Sequence, residues 1–262
     1  MSIPERFSAS LVRARAAIRS ARLFGSLWTE AFGDEDREIL RKPDRTMWSH
    51  GWFYHTFYDG PLGEARRTVV DLLPEGADVL DIASGTGAFC HDLRAVKACR
   101  VVGVELSRKM LRFAEAHKRF DDIRFAYGDA TRLDADALGE FDYATMLFLL
   151  HELPAAKRVS ALEQALRLAK HVVVVDSHVP FPRNAHAAVL HLVELLSGAE
   201  HHKCFMDYLA RGGIMGVASR LDPPVSVTHI STFWHGCRDA VVLMRSTAER
   251  SAVGKGSHDE RH

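Results

Sequence analysis

Short apolar runs alternate with amphipathic stretches through the middle of the chain. The apolar runs are residues 79–83, 101–105, 123–126, 141–147 and 171–176, and turn residues bound each of them. Runs that are short and apolar throughout are typical of strands covered on both faces of a sheet. Their alternation with helical stretches predicts an α/β fold with βαβ units and a doubly wound, mostly parallel sheet.

The stretches between these runs have the apolar spacing of helices. The recurring apolar positions are Phe89, Leu93 and Val96 in the first stretch, Met110, Leu111 and Ala114 in the second, and Val159, Leu162 and Leu166 in the third. Ser107 precedes the second stretch, where a serine hydroxyl is a good helix N-cap. Each stretch is therefore predicted to be a helix with one apolar face.

After residue 176 the alternation breaks. The predicted elements are two helices, 185–197 and 199–211, followed by two strands, 225–234 and 238–245. Gly212 and Gly213 are a good stop for the second helix. The two strands are joined by a tight connection at 235–237, so an antiparallel hairpin is predicted to close the sheet.

The ends of the chain differ from this α/β core. Residues 1–60 are rich in arginine and aromatic side chains and lack short β-branched runs, which favours helices and loops. Residues 248–262 have the composition of a disordered tail. We therefore expect a helical cap at 1–60, an α/β domain at 61–247 with a helical lid at 185–213, and a disordered tail.

Charge is concentrated at the start of the chain. Residues 1–25 contain five arginines, Arg6, Arg13, Arg15, Arg19 and Arg22, against the single acid Glu5. Apolar residues recur there at helical spacing, which predicts a basic amphipathic helix. Such a helix either packs on the domain as a cap or contacts an anionic membrane surface or an anionic substrate. The sequence leaves these alternatives open.

Composition narrows the class of partner and the compartment. The 34 basic and 34 acidic side chains give a formal net charge of zero, which does not favour a nucleic acid as partner. The four cysteines lack CxxC or other ligand spacing, as in a protein with reduced thiols. No apolar run is long enough to span a bilayer, and arginines interrupt the N-terminal stretch. We therefore expect a soluble cytoplasmic protein.

The strongest chemical signal is segment 79–87, which reads VLDIASGTG and joins a predicted strand to a predicted helix. Small residues let the backbone turn tightly and approach a ligand, and a helix N-terminus presents free N–H groups. A ligand is then expected at the carboxyl ends of the strands. A dinucleotide fingerprint would need a third glycine where Cys90 stands, and no P-loop lysine follows, so pyrophosphate binding is disfavoured.

Two acids follow this turn at the ends of the next two strands. Glu105 ends the second strand, where a carboxylate can accept hydrogen bonds from both hydroxyls of a ribose. Asp129 lies just past the third strand, where a carboxylate can accept a bond from an adenine amino group. Each acid alone is most often an ordinary solvated residue, but together with the turn they indicate nucleoside binding.

The turn and the two acids resemble the class I S-adenosylmethionine-dependent methyltransferases. That family has D-x-G-x-G-x-G as its first motif, and here Ala83, a small residue that the family accepts, stands in place of the first glycine. The resemblance covers roughly residues 54–245. It implies a seven-stranded sheet that holds S-adenosylmethionine across strands one, two and three. The cofactor-binding residues implied are Tyr58, Asp81, Ala83, Ser84, Gly85, Gly87, Glu105, Leu106, Met110, Gly128, Asp129, Ala130, Leu147 and Phe148.

Three further segments resemble the branch of the family that includes the ubiquinone and menaquinone C-methyltransferases. Tyr58 and Asp59 resemble a tyrosine–aspartate step near the methionine end of the cofactor, and residues 146–154 resemble the fourth-strand motif. The late helix around 200–213 is also similar. The branch implies a small, hydrophobic or aromatic methyl acceptor.

Methyl transfer from a sulfonium depends mainly on alignment and a dry site, and a base helps when the acceptor must lose a proton. His151, after the fourth strand, is the first candidate for that base, and His178, after the fifth strand, is the second. Either can instead be a histidine that orients the lid or caps a helix. No metal is expected, because His186 and His191 do not share a helix face, and the neighbours His201 and His202 diverge.

Other functions remain as alternatives. A methyltransferase of RNA or protein is compatible with the N-terminal arginines, but the zero net charge opposes it. The Asp/Asn-Pro-Pro-Tyr signature of amino-group methylation is also missing. A cofactor-binding protein without turnover is a further alternative. The acceptor, the atom methylated and the oligomeric state are left open by the sequence.

Overall fold

A computed structural model describes residues 51–245 of the chain. Its α-helices are α1 (Gly51–Phe57), α2 (Gly63–Leu72), α3 (Ala88–Lys97), α4 (Arg108–Ala116), α5 (Ala135–Leu138), α6 (Ala155–Leu168), α7 (Ala185–Leu196), α8 (Ala199–Ala210) and α9 (Gly213–Ala218). A short 3₁₀ helix spans Leu150–Glu152. The predicted basic helix of residues 1–25 and the tail from residue 248 lie outside the described residues.

The strands fall close to the predicted positions. They are β1 (Asp78–Ile82), β2 (Arg100–Glu105), β3 (Arg124–Tyr127), β4 (Phe141–Leu147), β5 (Ala169–Ser177), β6 (Val225–Phe233) and β7 (Arg238–Arg245). They form one seven-stranded sheet in the order β3-β2-β1-β4-β5-β7-β6. Pairs among the first five strands are parallel, and β7 pairs antiparallel with both β5 and β6. The predicted mostly parallel sheet with a terminal hairpin is confirmed.

The strand order reverses between β1 and β4, because the chain first extends the sheet through β2 and β3 on one side of β1. In parallel sheets such a reversal opens a crevice at the carboxyl ends of the two strands. The loops that leave β1, β2, β3 and β4 therefore meet at one edge of the sheet.

Alternate residues of the strands face two hydrophobic layers. Leu80 of β1 and Val172 of β5 belong to a layer completed by α6 and α9 on one face of the sheet. Val79 and Val173, their neighbours in sequence, belong to the layer on the other face, completed by α2, α3 and α4. Helices on both faces make the sheet doubly wound, and strands covered in this way need apolar residues at successive positions.

Three local features bear on the sequence predictions. Ser107 is the N-cap of α4, as predicted, and its side chain accepts a hydrogen bond from the N–H of Met110. Val96 was predicted on the apolar face of its helix, but 61% of it is exposed, and the buried residues of α3 end at Leu93. Gly212 and Gly213 follow the end of α8, as predicted for a helix stop, but a further helix that was not predicted, α9, begins at Gly213. Within the described residues, no helix is long and apolar enough to cross a membrane.

Candidate functional site

The turn after β1 needs the small residues that the sequence shows. Ala83, Gly85 and Gly87 all have positive φ, the backbone region that favours glycine. A Cβ atom on Gly87 would lie 2.5 Å from a ring carbon of Phe125, so a side chain does not fit there. A Cβ atom on Gly85 would meet open space. The turn therefore packs against Phe125 at Gly87 and has open space for a ligand at Gly85.

Asp81 supports this turn from inside the sheet. Its carboxylate accepts hydrogen bonds from the Thr145 hydroxyl at 2.8 Å and from the Cys90 thiol at 3.3 Å. Burial raises the pKa of Asp81 to about 7, although both of these bonds act in the opposite direction. Asp81 thus ties β1 to β4 and α3 through two protein side chains.

Glu105 lies against the open side of the turn. Its Oε2 accepts a hydrogen bond from the N–H of Gly85 at 2.8 Å, and its Oε1 accepts one from the N–H of Ser107 at 2.7 Å. Burial raises the pKa of this carboxyl, and the two N–H bonds partly offset that effect. A carboxylate oxygen accepts two hydrogen bonds, so each oxygen keeps capacity for a ligand hydroxyl. The two carboxylate oxygens can therefore accept hydrogen bonds from the hydroxyl groups of a ribose at this position.

Asp129 follows β3 in a turn of its own. Its Oδ1 accepts bonds from the N–H and the hydroxyl of Thr131, both at 2.8 Å, which leaves Oδ2 for a further donor. The N–H of Gly128 donates to the carbonyl of Glu105 at 3.1 Å, so this turn adjoins the ribose position. Leu106, Met110 and Ala130 flank the same two turns, and Met110 is buried.

Helix α1 is linked to the turn after β1. The Thr86 hydroxyl donates to Asp59 Oδ2 at 2.8 Å, and the same oxygen lies 2.7 Å from His55 Nδ1. Tyr58, next to Asp59, stacks on Tyr54 with ring centroids 5.4 Å apart. The tyrosine–aspartate step therefore joins the turn to the aromatic residues of α1.

A cavity of about 440 Å³ lies beside this link. Its apolar lining includes Phe53, Tyr54, Tyr58, Pro61, Leu62, Phe148, Val189, Leu190, Val193, Phe233 and Trp234. These residues come from α1 and the loop that follows it, the end of β4, α7 and the β6–β7 hairpin. The cavity can hold a small molecule with an aromatic or aliphatic body.

One side of the cavity is polar. We call His151, Glu152, Glu194 and His201 the polar wall; all four line the cavity. Glu194 Oε2 lies 2.5 Å from His201 Nε2 and 3.6 Å from His151 Nε2. His151 and Glu152 come from the 3₁₀ helix, Glu194 from α7 and His201 from α8, so the wall joins three elements that are distant in sequence.

Asp176, the last acid of β5, fixes His151. Its Oδ1 lies 2.7 Å from His151 Nδ1, and its Oδ2 accepts a bond from the backbone N–H of His151 at 3.1 Å. Both side chains are buried. Burial alone lowers the pKa of His151, but Asp176 and Glu194 outweigh it and raise the pKa to about 9.

The other wall carboxyls respond to their own neighbours. Burial acts to raise the pKa of Glu194, but His151 and His201 outweigh it, so the pKa lies below its usual value. Burial raises the pKa of Glu152, although the same two histidines act against it. The wall is therefore one coupled group of acids and histidines.

Two arginines contact the elements that form the cavity, and one of them, Arg238, also lines it. The Arg158 guanidinium donates to the carbonyls of Leu150, Leu153 and Cys204 and pairs with Asp207 at 2.8 Å, which ties α6 to the 3₁₀ helix and α8. Arg238 lines the cavity and donates to the Ser177 hydroxyl at 2.7 Å. Its guanidinium lies over the ring of Phe148, 4.6 Å from the centroid.

The structure separates the two histidines proposed as catalytic. His151 lines the cavity, whereas His178 pairs with Asp239 at 2.9 Å and is not among the cavity-lining residues of the described chain. Sequence reasoning missed Asp176, Glu194 and Arg238. Two of them carried a signal, because Asp176 ends a strand at the ligand edge and Glu194 is a lone acid in the apolar run LHLVELL.

Part of this site lies in a stretch of the chain that matches a known protein family. Residues 79–172 match a family model described as a methyltransferase domain. The match begins at β1, includes the glycine turn, Glu105, Asp129 and His151, and ends within β5.

Two relatives are similar over part of their length. A demethylmenaquinone methyltransferase of Beutenbergia cavernae is 37% identical over 118 residues, which is 44% of this chain and 48% of that protein. A ubiquinone biosynthesis O-methyltransferase of Ralstonia nicotianae is 28% identical over 172 residues, which is 63% of this chain and 67% of that protein. The chain therefore matches about half the length of the first relative.

Solved structures of low sequence identity share the fold. Magnesium protoporphyrin IX methyltransferase of Synechocystis PCC 6803, solved with bound SAM, superposes with a TM-score of 0.55 at 15% identity and covers 83% of this chain and 100% of that chain. Human N-acetylserotonin methyltransferase, in complex with SAM, has a TM-score of 0.55 at 17% identity and covers 87% and 67%. These likenesses confirm the predicted architecture.

Proposed function

We propose that this protein, a class I S-adenosylmethionine-dependent methyltransferase by its fold and its matched domain, methylates a small hydrophobic or aromatic acceptor. One observation carries the proposal. The turn that fits a nucleoside is hydrogen-bonded through Thr86 and Asp59 to the helix that lines the cavity. A donor on the turn and an acceptor in the cavity would therefore be neighbours.

S-adenosylmethionine is the cofactor, and when bound it supplies an electrophilic methyl group on a sulfonium centre. Glu105 would hold the ribose hydroxyls, Asp129 would accept from the adenine amino group, and the turn at Gly85 would let the backbone approach the cofactor closely. Tyr58 lines the cavity beside the turn and would face the methionine part. Asp81 acts on the turn indirectly, by fixing it to β4 and α3.

The acceptor binds in the cavity, with its body against the aromatic residues of α1 and the hairpin. Holding donor and acceptor in line is the main contribution, since good alignment is worth ~7–11 kcal/mol of a barrier. The relatives' names, a demethylmenaquinone methyltransferase and a ubiquinone biosynthesis O-methyltransferase, are consistent with an aromatic acceptor of this kind.

The polar wall prepares the acceptor for transfer. An acceptor hydroxyl or acidic carbon becomes a better nucleophile when it loses a proton, and the wall offers groups that can receive one. His151 is the wall residue best placed for this role, because Asp176 fixes its ring and leaves Nε2 toward the wall. Since the pKa of His151 is about 9, the fraction of His151 that can accept a proton grows as pH rises towards that value. A cavity of about 440 Å³ with many apolar lining residues also favours a small molecule over RNA or a protein side chain as the acceptor.

The test has two stages with the full chain. Calorimetry should show binding of S-adenosylmethionine and S-adenosylhomocysteine at least about a hundredfold tighter than NAD, or ~2.7 kcal/mol. Release of S-adenosylhomocysteine is then measured across quinols, phenols, thiols, amines and lipids. Preference for NAD would overturn the proposal. Tight cofactor binding without turnover on any acceptor would instead support a binding protein that does not catalyse transfer.

A further inference from the structure

We infer that the polar wall binds one divalent metal ion at the edge of the acceptor cavity. The site consists of His151 and Glu152 from the 3₁₀ helix, Glu194 from α7 and His201 from α8. Binding of the ion stands on the geometry of these residues alone. Its role in catalysis rests on the methyltransferase function proposed above.

The ligand atoms are already close together. His151, Glu152 and His201 each offer one ligand atom, and these three atoms all lie within 4.8 Å of one another. Glu194 Oε2 lies 2.5 Å from His201 Nε2 and 3.6 Å from His151 Nε2. Ligands at ~2.0–2.2 Å from a tetrahedral ion are ~3.4 Å apart, so only small side-chain movements are needed to enclose one.

The second nitrogen of His151 has the partner that metal-binding histidines use. A histidine ligand almost always donates its other ring N–H to a carboxylate, a carbonyl or water, which fixes the ring. Here Asp176 Oδ1 lies 2.7 Å from Nδ1, and the same carboxylate accepts the backbone N–H of His151. Nδ1 is thus engaged, and Nε2 is directed to Glu194 and the wall.

The charges around the wall favour a cation. Glu194 and Asp176 are buried acids, Glu152 adds an exposed carboxylate, and Arg238 is a buried cation beside them. Buried acids need a compensating charge, and a divalent ion would take that role when the histidines bind it as neutral ligands.

The types of ligand atom restrict which metal ions the site would bind. Two imidazoles and two carboxylates, without a thiolate, suit Zn²⁺, Mn²⁺, Fe²⁺ or Co²⁺ better than Ca²⁺, which takes oxygen ligands. All four ligands line the cavity, so an open coordination position would face the acceptor. A bound ion lowers the pKa of an oxygen ligand, so the acceptor class is a small molecule with a hydroxyl group. With an ion in place, His151 would act as a ligand instead of a base, and the proton of the ion-bound hydroxyl would pass to solvent, which reaches the wall at the exposed Glu152.

The sequence did not reveal this site because its ligands come from three separate elements. The neighbours His201 and His202 diverge on α8, because the His202 ring lies against His191, with 3.2 Å between their Nε2 atoms. That second pair provides a matched control on the same helices. Glu200, exposed on α8, is the corresponding control for Glu194.

The experiment titrates chelator-treated full-length protein with Zn²⁺ by calorimetry, and with Co²⁺ by visible absorption, which reports the ligand set. Wild type, Glu200→Gln and His202→Ala should each bind one ion at the wall with the same Co²⁺ spectrum. Glu194→Gln and His201→Ala should lose that spectrum. Asp176→Asn should weaken Zn²⁺ binding ~10–100-fold, the usual effect of losing an outer-shell carboxylate.

Binding of S-adenosylhomocysteine is measured in the same samples and shows that each variant is folded. Absence of ion binding in wild type would overturn the inference, as would binding that His202→Ala removes and Glu194→Gln leaves intact. Transfer that continues unchanged in metal-free protein would refute the catalytic role and leave the methyltransferase proposal standing. Metal binding without cofactor binding would refute the methyltransferase proposal instead.

Discussion

Two buried carboxylates near the glycine turn differ in what they bind. Asp81 accepts bonds from two protein side chains, Thr145 and Cys90, and so acts as a brace within the sheet. Glu105 accepts two backbone N–H groups and keeps capacity for further donors at the open side of the turn. At the residue scale, the hydrogen-bond partners of each acid show whether it supports the turn or can bind a ligand. The positions of the two acids in the sequence do not show this difference.

Glu105→Ala should weaken binding of S-adenosylhomocysteine and leave the fold intact. Hydrogen bonds to a charged acceptor are worth ~1.5–3 kcal/mol, which corresponds to roughly ten- to more than a hundredfold in affinity. Calorimetry measures the change, and Glu163→Ala, at an exposed position on α6, is the matched control. An unchanged dissociation constant in the folded variant would remove Glu105 from the cofactor site.

Asp81 should make stability depend on pH in a defined direction. Its pKa is about 7 in the folded protein, against ~3.9 for an unfolded chain, so the folded state holds the extra proton between these values. The contribution of Asp81 to stability therefore falls as pH rises through that window. Asp81→Asn lacks this titration, so its stability relative to wild type should improve from about pH 5 to about pH 8.

Urea unfolding of the cofactor-free protein at both pH values measures this difference. Asp121→Asn, at an exposed position, controls for the loss of a carboxylate without burial. If the gap between Asp81→Asn and wild type stays constant across the window, the folded protein does not retain the proton on Asp81.

His151→Ala should reduce turnover much more than cofactor affinity. Only His151 of the two histidine candidates lines the cavity, while the glycines and acids proposed to bind the cofactor lie in or just after β1, β2 and β3. The expected loss is ~10²–10⁴-fold, the range for general acid–base help. His178→Ala is the control and should change turnover little. Comparable losses of turnover in both variants would mean that lining the cavity does not make His151 more important for transfer than His178.

At the scale of elements, the polar wall depends on how the 3₁₀ helix and α8 meet α6. Arg158 is the link, with its guanidinium bonded to carbonyls of both segments and paired with Asp207. A buried arginine that satisfies several carbonyls is costly to remove, because each lost partner leaves a polar group in a dry interior. The arrangement of the wall is thus set by a residue that does not itself line the cavity.

Arg158→Met should destabilise the protein by ~3 kcal/mol, from several carbonyls left unsatisfied at ~1–3 kcal/mol each. For a chain of this size that corresponds to a fall in melting temperature of ~6–12 °C. Arg211→Met removes the exposed partner of the same Asp207 and should cost only ~0–1 kcal/mol. Thermal unfolding monitored by circular dichroism measures both, and equal losses would contradict the buried role of Arg158.

Helices and strands could be predicted from the sequence where burial of apolar residues alone determines the element. β4 and β7 begin and end as predicted, because each is a short apolar run whose successive residues pack on both faces of the sheet. α9 was not predicted, since Gly212 and Gly213 have the pattern of a helix stop and only packing shows that a helix resumes. The turn, Glu105 and Asp129 could be found from sequence because they are local, whereas the wall required tertiary contacts.

At the scale of the whole molecule, the members of both hydrophobic layers among residues 51–245 all come after position 64. Deleting residues 1–25 should therefore leave the sheet folded, as measured by circular dichroism and binding of S-adenosylhomocysteine. The same pair of proteins tests the basic N-terminal segment. Binding of the intact chain to anionic vesicles, lost on deletion, would favour membrane contact, and absence of binding in both would favour a cap. Loss of the fold on deletion would contradict the prediction.

The strand order has a consequence for how such a protein can diverge. Because the chain crosses to β4 only after completing β2 and β3, the acids of the candidate cofactor site lie between residues 81 and 129, and the wall lies between residues 151 and 201. Mutations in the later half can reshape the acceptor cavity while the earlier half keeps its hydrogen bonds. Selection can thus act on the choice of acceptor almost independently of the choice of donor, through changes inherited in separate stretches of one gene.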